Sequence, residues 1–124
     1  MFEHDDAEHA RTFEAGQTIF SIDDAADCMY VVVYGVVEIR IGDSVLERVG
    51  PGGVLGEMAL IEDLPRSATA IAVEETRLSV VDKPRFVALV QQNPYFALQV
   101  MDVLAQRLRR MDEILRKSTT ANQH

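Results

Sequence analysis

The chain has 124 residues, 12 Lys and Arg against 20 Asp and Glu, and a formal net charge of −8, the size of one domain and not two. Apolar residues make up 48% and charged residues 26%, enough to bury a core and outside the composition of disordered chains. The longest apolar stretches, such as 29–34, fall far short of the roughly 20 residues of a membrane helix, and the acidic start Met1-Phe2-Glu3-His4-Asp5-Asp6 lacks the basic and apolar regions of a secretion signal, so the expectation is a cytoplasmic protein without a membrane partner.

After a polar lead, the chain breaks into short apolar or alternating runs separated by Gly, Asp and Pro, the rhythm of a small all-β barrel or sandwich. Strands are predicted over residues 11–14, 18–22, 28–34, 36–41 and 45–49, with breaks at Gly16, the 23–27 loop, Gly35, Gly42-Asp43 and Gly50-Pro51-Gly52-Gly53. Gly42-Asp43 suits a two-residue hairpin turn, because glycine accepts the positive φ such turns need. Beyond an interruption at 56–66, two more strands are predicted over 68–73 and 76–82, joined by Glu74-Glu75, for a total of seven or eight. Lys83-Pro84 then opens a helix through Val90, since proline is tolerated in a first helical turn. A second helix starts around Pro94 and runs to about Lys117.

In that last helix Ala97, Met101, Leu104, Leu108, Met111 and Leu115 recur at spacings of 4, 3, 4, 3 and 4, an a/d seam on one face. Two readings stay open: the seam packs on the chain's own barrel, or it pairs with a second copy. Charge is uneven: residues 1–101 hold 17 acids and 7 bases for a net of −10, and residues 102–124 hold 3 acids and 5 bases for a net of +2. The acidic body repels nucleic acid. Arg107, Arg109, Arg110, Arg116 and Lys117 read as a solvated face that opposes the helix dipole. The single Cys28 reads as a buried strand residue, and His4, His9 and His124 lie near the ends, where a metal is not held in fixed geometry.

The stretch that carries chemistry is Leu55-Gly56-Glu57-Met58-Ala59-Leu60-Ile61-Glu62-Asp63-Leu64-Pro65-Arg66-Ser67-Ala68-Thr69. It reads as a glycine, one apolar helical turn with an acid at its start, a proline-held loop, and an arginine entering a strand. Glycine permits close backbone approach, and the N–H groups that open the turn suit an anion. Arg66 offers a planar fork of donors for two phosphate oxygens, and Pro65 keeps Leu64 extended. Glu57 fits beside an anion if it accepts a hydrogen bond from a ligand hydroxyl. The plain reading of the same residues is a helix cap at Glu57 and a surface ion pair at Arg66.

This segment resembles the phosphate-binding cassette of the cyclic nucleotide-binding domain family, over Gly56-Glu57-Met58-Ala59-Leu60 and Pro65-Arg66-Ser67-Ala68-Thr69. A weaker resemblance runs from the Phe13 region to the final helix. The resemblance implies a mainly β domain over residues 1–124: a jelly-roll β-roll (double-stranded β-helix) over about 10–82, with flanking helices and a long C-terminal helix over about 83–117. It further implies a receptor for cyclic AMP or cyclic GMP, not an enzyme, with no cofactor besides that ligand. Glu57 then takes the ribose 2′-hydroxyl and Arg66 pairs with the cyclic phosphate. N–H groups around Met58 and Ala59 face the phosphate, Ser67 touches phosphate or a guanine edge, and Leu55, Ile39 and Ala68 wall the sugar and base. Met111, Ile114 or Leu115 caps the base, and helix movement carries the signal to a second copy or another protein partner.

This chain departs from the family pattern in two turns, with Gly52-Gly53 before the cassette and no glycine in Asp23-Asp24-Ala25-Ala26-Asp27. About eight residues after Arg116 leave no room for a helix-turn-helix, so DNA is not an expected partner. One cysteine cannot hold an iron–sulfur cluster. Two rivals remain in view: a ligand-free dimerisation module, the sensor half of a transcription regulator; and a cupin-type enzyme, which needs histidines in the strands.

Overall fold

The computed structural model describes residues 8–122, with side chains through residue 117; His4 and His124 lie outside the described residues. Eight strands form two antiparallel sheets. The first contains β1 (Ala10–Phe13), β8 (Thr76–Asp82), β3 (Cys28–Tyr34) and β6 (Val54–Leu55), in that spatial order. The second contains β2 (Thr18–Phe20), β7 (Thr69–Ala72), β4 (Val37–Ile41) and β5 (Ser44–Val49). The chain passes back and forth between the sheets, and this jelly-roll β-roll encloses Val32, Val37, Val49, Leu55, Ala70 and Leu78. Helices α1 (Lys83–Gln92) and α2 (Tyr95–Asn122) follow the last strand.

β3 is apolar on both faces because both are covered. Tyr30 and Val32 point into the roll, whereas Met29 and Val31 join Val54, Val81, Phe96 and Val100 in a second core beneath the helices. A strand buried twice loses its alternation, which is why Cys28 to Tyr34 reads as an unbroken apolar run. The Gly42-Asp43 turn forms as expected, with Ile41 opposite Ser44 and Gly42 at φ 57°.

Three elements differ from expectation. β2 ends at Phe20 and not at residue 22, because Ser21 N–H bonds Asp24 Oδ2 (2.9 Å) and Ile22 N–H bonds Thr69 Oγ1 (3.0 Å). These side-chain acceptors replace the ladder. β6 is an additional strand of two residues, too short to show a period, pinned by Gly52 N–H to Val32 O at 2.8 Å and Val32 N–H to Gly53 O at 2.9 Å. α2 runs on to Asn122, past the expected end near Lys117.

Asp82 caps α1 by accepting from Arg85 N–H at 2.9 Å, with Pro84 in the first turn. Asn93 Oδ1 then accepts from Tyr95 N–H at 3.2 Å at the start of α2. The face α2 turns to the roll carries Phe96, Val100, Val103 and Leu104, with Phe96 against Phe86 of α1 at 5.5 Å between centroids. Of the a/d seam, Ala97 and Leu104 are half-buried, whereas Met101, Leu108, Met111 and Leu115 are 56 to 68% exposed. Most of the seam therefore does not pack on the chain's own barrel. Among the described residues no helix is long and apolar enough to cross a membrane, and no group of three or more His, Cys, Asp and Glu is placed to hold a metal.

Candidate functional site

The stretch after β6 begins with Gly56 at φ 73°, ψ 18°, the left-handed conformation, followed by a 3-10 helix over Glu57–Leu60. Glycine suits this position best. A Cβ on Gly56 would stand 2.5 Å from Arg66 Nη1, and left-handed backbone is costly for most other residues. Ala59 N–H donates to Gly56 O at 3.2 Å and closes the first turn. The N–H groups of Glu57 and Met58 precede that closure and are the open donors of the helix start.

Arg66 is only 7% exposed. Its backbone is clamped by the 23–24 loop, with Asp23 N–H to Arg66 O and Arg66 N–H to Asp24 O both at 2.8 Å. Asp23 takes φ 74° to make this clamp, in the turn that lacks a glycine; aspartate tolerates that conformation better than most residues. The guanidinium donates from Nη2 to Cys28 O (2.8 Å) and from Nη1 to Gly56 O (3.3 Å), and Nη2 lies 3.8 Å from Cys28 Sγ. Its Nε is buried without a hydrogen-bond partner. Among the described residues no carboxylate pairs with it. The surface ion pair of the plain sequence reading is therefore absent, and a buried cation faces the site with its charge uncancelled.

Glu57 is 5% exposed, and its carboxylate is paired with Arg107 Nη1 from α2. Arg107 also bonds Glu47 of β5 from Nε (2.9 Å) and Nη2 (3.2 Å), and Val54 O from Nη2 (2.8 Å), while Arg110 stands 3.6 Å from Glu47. Burial opposes the charge on Arg107, but hydrogen bonds to Glu47 and the charge of Glu57 outweigh it and hold its pKa above the usual value. The expectation of a wholly solvated basic face fails here. Arg107 falls one turn beyond Val103, on the side of α2 that meets the roll, and this phase cannot be read from its charged neighbours Arg109 and Arg110.

The remaining candidates divide by place. Leu55 and Ala68 are buried, and Ile39 is half-buried in the roll interior, where an apolar wall would stand. Met58 and Ser67 are exposed on either side of the loop, and Ala59 is half-buried. Met111, Ile114 and Leu115 are exposed on α2. Behind the 3-10 helix a cavity of about 360 Å³ lies between Met29, Glu57, Leu60, Phe86, Val87 and Val100. Sequence reasoning missed Arg107, this cavity and Phe20, whose ring centroid lies 4.2 Å from the Arg66 guanidinium carbon. Arg107 and Phe20 are remote from the cassette in sequence, and no local motif marks them.

A family profile described as "Cyclic nucleotide-binding domain" matches residues 10–93. The chain is 35% identical over 107 residues to the Cyclic AMP receptor protein of Thermus thermophilus, covering 82% of this chain and 50% of that protein. The crystal structure of Thermus thermophilus Catabolite Activator Protein superposes with a TM-score of 0.74 at 34% identity, over 86% of this chain and 52% of that one. EAL enzyme Bd1971 in its cAMP-bound form matches with a TM-score of 0.61 at 36% identity, over 83% of this chain and 29% of that one; the same enzyme was also solved bound to cGMP. The chain spans about half the length of the receptor protein it matches.

Proposed function

Because the chain belongs to the cyclic nucleotide-binding domain family, we propose that it binds cyclic AMP or cyclic GMP within the roll and acts as a receptor rather than an enzyme. The observation that carries this is Arg66: a buried guanidinium with no acidic partner among the described residues and an unbonded Nε. Burying a charge without a counter-ion costs several kcal/mol, and a cyclic phosphate supplies the missing anion with bidentate geometry. The open N–H groups of Glu57 and Met58 add donors of the same sign. No cofactor beyond the nucleotide enters this reading.

Glu57 connects the ligand to α2. A ribose 2′-hydroxyl donating to its carboxylate meets a group whose Oε1 is already bonded to Arg107, so occupancy of the site and the seating of the helix are linked through one side chain. The cavity behind the 3-10 helix gives that helix room to shift. Ligand moves this balance only by its preference for one state, and a tenfold preference supplies about 1.4 kcal/mol. The output is read along α2, by a second copy on the exposed Met101, Leu108, Met111 and Leu115 or by another protein. A ligand-free dimerisation module is favoured by that exposed seam alone, and it leaves the buried charge of Arg66 without a purpose.

Thermal unfolding with cyclic AMP, cyclic GMP or 5′-AMP, with Arg66→Ala alongside, tests the reading. At 100 times its dissociation constant a ligand stabilises the fold by about 2.7 kcal/mol. The expected result is a higher Tm with a cyclic nucleotide, not with 5′-AMP, and lost in the variant. No shift with either cyclic nucleotide at millimolar concentration overturns the receptor and leaves the dimerisation module.

A further inference from the structure

The seat of Arg66 contains aromatic rings where an acid would be expected. Its guanidinium carbon lies 4.2 Å from the centroid of Phe20 and 5.8 Å from that of Tyr30, and the two rings stack at 6.1 Å with 21° between their planes. We propose that the Phe20 ring is a positioning platform for Arg66, holding the cation in line for the ligand's anion without neutralising it. This rests on the reading of Arg66 as the phosphate partner.

A long, flexible side chain needs an anchor to present one edge of its guanidinium to a ligand. A carboxylate would anchor it and cancel its charge at the same time. An aromatic face attracts the cation through its quadrupole and leaves the net charge whole. The carbonyls of Cys28 and Gly56 fix the two Nη groups in the same manner, through dipoles and not charges. The second ring, Tyr30, is an uncharged phenol at neutral pH, as tyrosine ordinarily is, and burial, followed by the Cys28 side chain, pushes its hydroxyl further up, to about 12.

The backbone provides an independent sign that Phe20 is aimed. β2 pairs Thr18 with Ile71 but Phe20 with Ala70, one residue short of regular antiparallel register. Such irregularities re-aim a side chain. This one falls between Thr18 and the residue whose ring lies against Arg66.

The experiment compares wild type, Phe20→Tyr and Phe20→Leu, titrated with cyclic AMP and cyclic GMP well below each Tm, and records the Arg66 Nε–Hε resonance of the free protein by NMR. Phe20→Tyr keeps the ring and is expected to bind within about twofold of wild type. Phe20→Leu keeps an apolar side chain, loses the ring, and is expected to bind about tenfold more weakly. The Arg66 Hε of wild type is expected to be shifted upfield by the ring current, and to return toward its ordinary position in Phe20→Leu. A purely packing role for Phe20 lowers Tm in the leucine variant without moving affinity, and that outcome overturns the platform. So does an Arg66 Hε at its ordinary position in wild type, a measurement that needs no variant to fold. If wild type binds neither nucleotide, the receptor reading fails, and the Arg66 resonance still decides whether the platform exists.

Discussion

Arg66 and Glu57 are both more than nine-tenths buried, yet they are handled in opposite ways. Glu57 is neutralised inside the chain by Arg107, whereas Arg66 is held by carbonyls and aromatic rings that leave its charge whole. An uncompensated buried cation adds little to the stability of the free protein, since its hydrogen bonds are offset by its desolvation. Arg66→Met is therefore expected to unfold within about 1 kcal/mol of wild type without ligand, while losing at least tenfold in cyclic nucleotide affinity. Denaturant melts with parallel titrations check this pair of outcomes. A large loss of stability with affinity retained would make Arg66 a structural residue.

At the scale of elements, the 3-10 helix over Glu57–Leu60 and helix α2 meet through one ion-pair network, Glu57–Arg107–Glu47. In the proposed receptor a ribose hydroxyl would share Glu57 with Arg107, so Arg107→Met is expected to increase the preference for cyclic AMP over its 2′-deoxy analogue several-fold. An unchanged ratio in calorimetric titrations would disconnect α2 from the site. The second sheet holds a different network: Glu38 of β4 is bonded by Arg40 on its own strand and by Arg48 of β5, the latter at 2.9 Å. The hydrogen bond from Arg40 leads in holding the Glu38 carboxyl below its ordinary 4.5, with Arg48 adding to it against the opposing effect of burial. A carboxyl lowered in the folded state binds fewer protons there than when unfolded, so its contribution is complete above pH 4.5 and is lost as pH falls through the lowered value. Between pH 6 and pH 3, Glu38→Gln is expected to show a shallower fall in Tm than wild type; parallel curves would mean that the pair contributes nothing.

Across the whole molecule, α2 is 28 residues long, about 42 Å, and among the described side chains its packing and ion-pair contacts with the roll come from the stretch from Phe96 to Arg110. Beyond it Met111, Ile114 and Leu115 are 60 to 63% exposed, in line with exposed Leu108 and Met101. An apolar stripe of this kind on a projecting helix suits a coiled-coil contact. Sedimentation is expected to find a dimer at micromolar concentration, and Leu108→Glu with Leu115→Glu is expected to yield monomers that still bind nucleotide. A wild-type protein that sediments as a monomer in both ligand states would leave the seam to a different partner.

How much of this was legible in the sequence depends on whether the cause is local. The Gly42-Asp43 hairpin, the helix start at Lys83-Pro84, and the left-handed Gly56 before its acidic turn follow from φ preferences and hydrogen bonds within a few residues, and all were readable there; the cap at Asp82 was not among the sequence expectations. So was the family, whose cassette is one continuous segment from Leu55 to Thr69. β6, with two residues, is a strand only because β3 lies beside it, and β2 stops early because Thr69, 47 residues away, takes its hydrogen bond. The face that α2 presents was decided by the second core over β3. That phase put Arg107 on Glu57 and left Met101, Leu108, Met111 and Leu115 outward. The sequence alone determined which residues carry charge and where the chain turns. Only the tertiary structure decided which charges cancel and which stays whole, because electrostatic pairing and desolvation depend on distance in space and not on separation along the chain.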